Sequence, residues 1–170
     1  QTIQISSGQS FVVTEIDAAS HGLVDDVRLL KERAALPPQS GLMTVYILDE
    51  VHMLSKAAFN AFLKTELACT DYAFGLFGIG VDGHTSGILP HSPAVESPAL
   101  VATYDGGGYE RITTTAHTIL RVSEAVIFAA GEAKWSALAT LLRTDAPTAD
   151  QPAQLLKQIQ KSTLFTDYHL

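Results

Sequence analysis

At 170 residues, 46% hydrophobic and 17% charged, the chain has the size of one domain and the apolar content to bury a sizeable core, which argues against intrinsic disorder. Eighteen Asp and Glu against eleven Lys and Arg give a net charge of −7. The basic residues stand singly, so the basic face of a protein that grips phosphates is missing and no nucleic-acid partner is expected. A single cysteine, Cys69, excludes a disulfide framework and a cysteine-based zinc site. No apolar run reaches the ~18–20 residues of a membrane helix, and Gln1-Thr2-Ile3-Gln4 lacks the start of a signal peptide, so a cytoplasmic protein without membrane association is expected.

In chain order, residues 11–17 (Phe-Val-Val-Thr-Glu-Ile-Asp) predict a strand, being short and β-branched. Leu23, Val27, Leu30 and Ala34 at helical spacing predict a helix over 23–36, stopped by Pro37-Pro38. The nearly continuous apolar run 42–48 predicts a strand covered on both faces. Ser55 is a plausible N-cap for a helix over 56–68. A third strand, 74–80, runs into glycines. Loop-forming residues dominate 81–110, with a short strand at 99–104. A strand at 111–115, a short helix at 116–123 and a buried strand at 125–130 follow. Gly131 precedes a helix over 132–143, and a helix at 151–160 and a strand at 163–166 close the order. This alternation predicts an α/β fold: three layers, a mainly parallel sheet with helices on both faces. In such sheets ligands sit beyond the carboxyl ends of the strands, and two segments at that location carry chemistry.

The first is Asp49-Glu50-Val51-His52, an acid pair at the end of an apolar strand, as in a Walker B element. There the Asp helps hold magnesium and the Glu polarises the attacking water. Together with Glu15-Ile-Asp-Ala-Ala-Ser-His21, Val24-Asp-Asp-Val27, Tyr46 to Ser55 and Phe59-Asn-Ala-Phe-Leu-Lys-Thr65, it resembles the gamma/tau subunit of bacterial DNA polymerase III, the clamp-loader ATPase, over about residues 1–65. The resemblance assigns Asp49 and Glu50 to magnesium-nucleotide. No G-x-x-x-x-G-K-[ST] occurs in the chain, so the backbone cradle and lysine for the phosphates are missing. Asp49 and Glu50 are therefore expected to be an inactive remnant.

The second is Gly78-Ile-Gly-Val-Asp-Gly-His-Thr85, a glycine-rich turn presenting Asp82 and His84. A histidine beside a carboxylate at a strand end is a plausible general base, the acid fixing its tautomer. Residues 74–90 resemble the signature of 6-phosphogluconolactonase, of the glucosamine-6-phosphate isomerase/deaminase superfamily. Glu110-Arg-Ile-Thr-Thr-Thr115, Gly131-Glu-Ala-Lys-Trp-Ser-Ala-Leu138 and Gln151-Pro-Ala-Gln154 fit its later motifs, so the resemblance covers roughly 70–170. It implies that His84 activates water against the lactone carbonyl, that Asp82 supports His84, and that Arg111 and Lys134 grip the substrate phosphate. The alternative for those two is a strand-end arginine and a solvent-facing lysine. Thr85-Ser-Gly-Ile-Leu-Pro90 fits the lactonase branch rather than the deaminase branch, with Gly87 standing where serine is frequent. The family's G-G-[ST]-P-like phosphate loop is not found in the chain.

His52, His91, His117 and His169 show no metal-ligand spacing, and neither a metal nor a cofactor is expected. Taken together, the residues predict a chimera: 1–66 a clamp-loader-like βαβα fragment, 67–170 the C-terminal part of a lactonase, joined in one continuous sheet. Three functions follow: a phosphosugar lactone hydrolase, weak or inactive without its phosphate loop; an α/β scaffold without activity; and an inactive nucleotide-binding fragment. A phosphorylated sugar is the expected ligand, and a homo-oligomer is compatible with the sheet edges.

Overall fold

The computed structural model describes residues 11–17, 43–49, 55–68 and 70–169. The chain divides into two compact units, residues 1–65 and 66–170. Of the earlier expectations, the helix over 23–36, Glu50 and His52 lie outside the described residues.

In the first unit, strands β1 (Phe11–Asp17) and β2 (Met43–Asp49) pair in parallel, from Phe11 opposite Met43 to Asp17 opposite Asp49. A parallel pair needs a crossover connection, which the 25 residues between them are long enough to provide. β2 is displaced by one residue from the run read in the sequence, so Asp49 is its last residue. Helix α1 (Lys56–Ala68) begins directly after Ser55, whose carbonyl accepts the Phe59 N–H at 3.1 Å. The division between the units falls inside this helix.

The second unit is built on a parallel three-stranded ladder, β3 (Phe74–Gly78), β6 (Glu124–Phe128) and β7 (Lys161–Phe165), with β6 in the middle. Its register aligns Phe77, Ile127 and Leu164, and Gly78, Phe128 and Phe165. Alternation then puts Phe77, Ala125, Ile127 and Leu164 on one face, where they join a core with Ile79, Ile88, Leu138, Leu141, Leu155 and Leu156. The other face carries Phe74, Leu76, Phe128 and Phe165, all exposed.

β3 stops at Gly78 rather than running to residue 80, because the chain turns at Gly80, whose N–H bonds His84 O; Ile79 between them is buried (2% exposed). Between β3 and β6, strands β4 (Val101–Asp105) and β5 (Glu110–Thr114) form an antiparallel hairpin. The Asp105 carboxylate closes its tip by accepting the N–H groups of Gly107 and Gly108 at 2.9 and 2.8 Å. Both glycines hold φ near +96°, which a side chain would disfavour.

The helix expected over 116–123 is shorter: α2 spans Ala116–Ile119, capped by the Thr115 hydroxyl. Three-residue turns follow as the chain descends to Ser123, whose N–H bonds Ala73 O at 2.8 Å beside the start of β3. The helix expected over 132–143 starts as a 3-10 turn, Glu132–Lys134, and becomes α3 at Trp135–Arg143. The segment expected as a helix over 151–160 is a 3-10 helix, Pro152–Gln158, whose residues from Pro152 to Leu156 are buried. The architecture is thus α/β with parallel sheet strands and helices. Among the described residues no helix is long and apolar enough to cross a membrane.

Candidate functional site

The parallel ladder places the ends of β3, β6 and β7 on one side, and the sequences that follow them hold polar side chains. After β3 the chain folds back at once: Gly80 N–H bonds His84 O at 2.9 Å and Gly83 N–H bonds Gly80 O at 3.0 Å. A β-carbon on Gly80 would lie 2.2 Å from the His84 ring, so only glycine lets the imidazole lie across this turn. Gly83 sits at φ +79°, in the left-handed region.

Within the turn, Asp82 and His84 are joined. Asp82 Oδ1 lies 2.5 Å from His84 Nδ1 and accepts the His84 backbone N–H at 3.1 Å. Desolvation would push the Asp82 carboxyl up, but the His84 N–H and imidazole outweigh it and hold it below the usual carboxylate value. An ionised carboxylate can only accept, so Nδ1 carries the proton, and in the neutral ring Nε2 is then the acceptor. The side chains of Asp82 and His84 are 45% and 38% exposed, so the pair lies at the protein surface.

Arg111 lies on β5, and its placement follows from that strand's contacts. Thr113, two residues on and therefore on the same strand face, donates its hydroxyl to Ser86 O. Tyr104, directly opposite Arg111 in the hairpin, donates its hydroxyl to Gly87 O and accepts Leu89 N–H at 3.2 Å. The Arg111 face of the hairpin is thus the face that bonds the loop after His84. The guanidinium itself rests on Tyr109, its carbon 4.8 Å from the ring centroid, with Nη2 donating to the Tyr109 hydroxyl. Arg111 Nε is buried and has no partner among the described residues.

Lys134 ends the 3-10 turn after β6 and is half-buried, with no ion pair among the described residues. The turn that holds it is fixed by Asp167, whose carboxylate accepts Gly131 N–H and the Trp135 indole N–H. The loop bearing Asp82 reaches the same helix start. Val81 and Asp82 line an open cleft of about 210 Å³ with Ser136, Ala137, Thr140, Asp150 and Gln151.

Asp49, from the other constellation, is the last residue of β2, opposite Asp17. Among the described residues no group of three or more His, Cys, Asp or Glu is arranged to hold a metal ion. Sequence reasoning assigned no role to Asp167, Tyr109, Thr113 or Gln151. Gln151 carried a signal, since it opens the Gln151-Pro-Ala-Gln154 motif.

The model of the family described as glucosamine-6-phosphate isomerases/6-phosphogluconolactonase matches residues 16–165, a longer stretch than the roughly 70–170 read from the motifs. The tau subunit of DNA polymerase III from Bacillus subtilis is 49% identical over 61 residues, 36% of this chain and 11% of that protein. The chain therefore spans about a tenth of the length of the curated relative it matches. The solved structure of 6-phosphogluconolactonase from Trypanosoma brucei is similar with a TM-score of 0.58 at 17% identity, over 72% of this chain and 58% of that one. That of 6-phosphogluconolactonase from Thermotoga maritima gives 0.57 at 17% identity, over 95% of this chain and 86% of that one. At such identities the likeness is one of fold, and a segment similar to the polymerase subunit accompanies it, as a chimera would show. With a family model spanning most of its length, the chain belongs to the glucosamine-6-phosphate isomerase/6-phosphogluconolactonase family.

Proposed function

We propose that the chain is a weak hydrolase of a sugar-phosphate lactone, of the 6-phosphogluconolactonase type. The observation that carries this reading is the Asp82–His84 contact at the carboxyl end of β3, with Nε2 left to accept a proton. In the proposed reaction Nε2 takes a proton from water as the water oxygen bonds the lactone carbonyl carbon. The ring C–O bond then breaks, and the leaving oxygen takes that proton back from the imidazolium, giving an open-chain sugar acid. Asp82 keeps Nδ1 protonated and steadies the transient positive charge. Arg111 and Lys134 hold the phosphate, one through a guanidinium fork and one as a point charge. Activity is expected to be weak because the first 65 residues carry clamp-loader-like motifs where a phosphate loop would complete the cradle. The lone cysteine and the charged substrate fit a cytoplasmic enzyme. Hydrolysis of 6-phosphogluconolactone by the full chain and by His84→Ala tests the proposal; equal rates would leave the reading of a scaffold without activity.

A second reading rests on the polymerase-like segment: a nucleotide-binding remnant centred on Asp49 and Glu50. Without a phosphate-binding lysine loop, magnesium-ATP is expected to give no binding heat in calorimetry. Measurable binding abolished by Asp49→Asn would favour this reading.

A further inference from the structure

The segment holding Asp82 and His84 is pinned from below by one buried amide. Gln151 is 5% exposed, just before the 3-10 helix Pro152–Gln158. Its Nε2 donates to Ala137 O in α3 at 2.7 Å, and its Oε1 accepts from Gln154 Nε2 at 2.7 Å. Both ends of the amide are thus used, one as donor and one as acceptor. Its Cγ lies 2.6 Å from where a β-carbon on Gly83 would stand, so the stem of the side chain is the floor under the residue between Asp82 and His84. The adjoining backbone repeats the connection, since Ala153 N–H donates to Gly83 O at 2.9 Å. Gln154 is itself 4% exposed and also reaches Thr144 O at 3.3 Å.

We infer that Gln151 is a positioning residue for the Asp82–His84 pair: it ties the loop after β3 to the first turns of α3 and sets the height of Gly83. This deepens the reading of His84 as the base and rests on it. The amide is required chemically. A carboxylate could not donate to Ala137 O and would be buried beside it, and an apolar side chain of equal length would remove the bond to Ala137 O and leave the Gln154 amide only its longer contact with Thr144 O. Either change lets the loop drop, and the 2.5 Å contact between Asp82 and His84 opens.

The experiment reads the His84 tautomer in the full chain, through long-range proton–nitrogen correlations of its ring at about pH 8.5, above the ordinary histidine range. Loss of the signal in His84→Ala assigns it, and Asp82→Asn provides the reference for a broken pair. The wild type is expected in the Nδ1–H form. Gln151→Met and Gly83→Ala, which disturb the contact from its two sides, are expected to shift His84 toward the Nε2–H form seen in Asp82→Asn. The core variant Ile119→Val, at a residue whose side chain makes none of these hydrogen bonds, is expected to keep the wild-type form despite its own loss in Tm. Where lactone hydrolysis is measured, Gln151→Met is expected to lower kcat about tenfold to a hundredfold with KM within about twofold, as a shift near 1 Å can do. A wild-type tautomer in Gln151→Met and Gly83→Ala overturns the inference, as does an equal change in Ile119→Val. Should Gln151→Met fail to fold, Gln154→Leu, which removes the bonds to Gln151 Oε1 and Thr144 O but keeps the one to Ala137 O, decides in its place by the same shift. A tautomer shift in a chain without lactonase activity supports the positioning role while ending the hydrolase reading.

Discussion

The Asp167 carboxylate accepts the Gly131 N–H at 2.9 Å, joining the segments that follow two neighbouring parallel strands, β7 and β6. The Trp135 indole N–H reaches the same carboxylate at 3.2 Å, so one exposed acid fixes the turn that carries Lys134. The Gly131 N–H first and the indole second hold the Asp167 carboxyl below its ordinary value. A depressed carboxyl adds stability above its unfolded-state pKa, and that stability is lost as pH falls through the folded value. Asp167→Ala is therefore expected to lower Tm at neutral pH, with the difference from wild type closing in strong acid. Thermal melts across the acid range check this.

Arg111 stacks on Tyr109 beneath a hairpin tip made of three glycines. A β-carbon on Gly106 would lie 2.2 Å from Arg111 Nε, the inner part of a flexible side chain. Gly106→Ala is expected to displace the guanidinium with little loss of Tm and to raise KM for a phosphorylated lactone, in the same direction as Arg111→Ala. For Arg111→Ala a rise of about tenfold to a hundredfold corresponds to one charge-assisted contact of ~1.5–3 kcal/mol. Steady-state kinetics of both variants, with an unphosphorylated lactone as control, read the effect; equal changes for both lactones would remove the phosphate role.

Glu66, in α1, is the first residue of the second unit, and its Oε1 is buried without a partner among the described residues. Desolvation raises its carboxyl above the ordinary value. The charged form is therefore disfavoured by folding, and the resulting penalty is absent in acid and grows as pH rises through the carboxylate range. Glu66→Gln is expected to raise Tm at neutral pH and to have little effect below the carboxylate range. A pH series of melts measures it; no gain at neutral pH would contradict the burial of this group.

Much of the second unit was legible because its punctuation is local. Phe74 to Gly78 and Glu124 to Phe128 are short apolar runs bounded by glycine or turn residues, and both are strands within two residues of the reading. Asp82 and His84 were legible as a pair because a two-residue spacing across a glycine lets an Asp carboxylate reach the backbone and ring of the residue beyond. The short α2 and the 3-10 starts of later segments were not, since a helical residue pattern does not tell where tertiary contacts end the helix. The carboxylate of Asp167 and the amide of Gln151 act on partners 36 and 14 residues away, and no local pattern announces such partners. The register that puts Arg111 on the hairpin face bonded to residues 86–89 likewise depends on Tyr104 and Thr113.

The most direct measurement is the rate of 6-phosphogluconolactone hydrolysis above the spontaneous background, for the full chain and for His84→Ala at matched Tm. A rate above background in the wild type, falling by about 10²–10⁴-fold in the variant, is expected of a lost general base. A wild-type rate at background, or one that His84→Ala leaves unchanged, would contradict the assignment of lactone hydrolysis to His84.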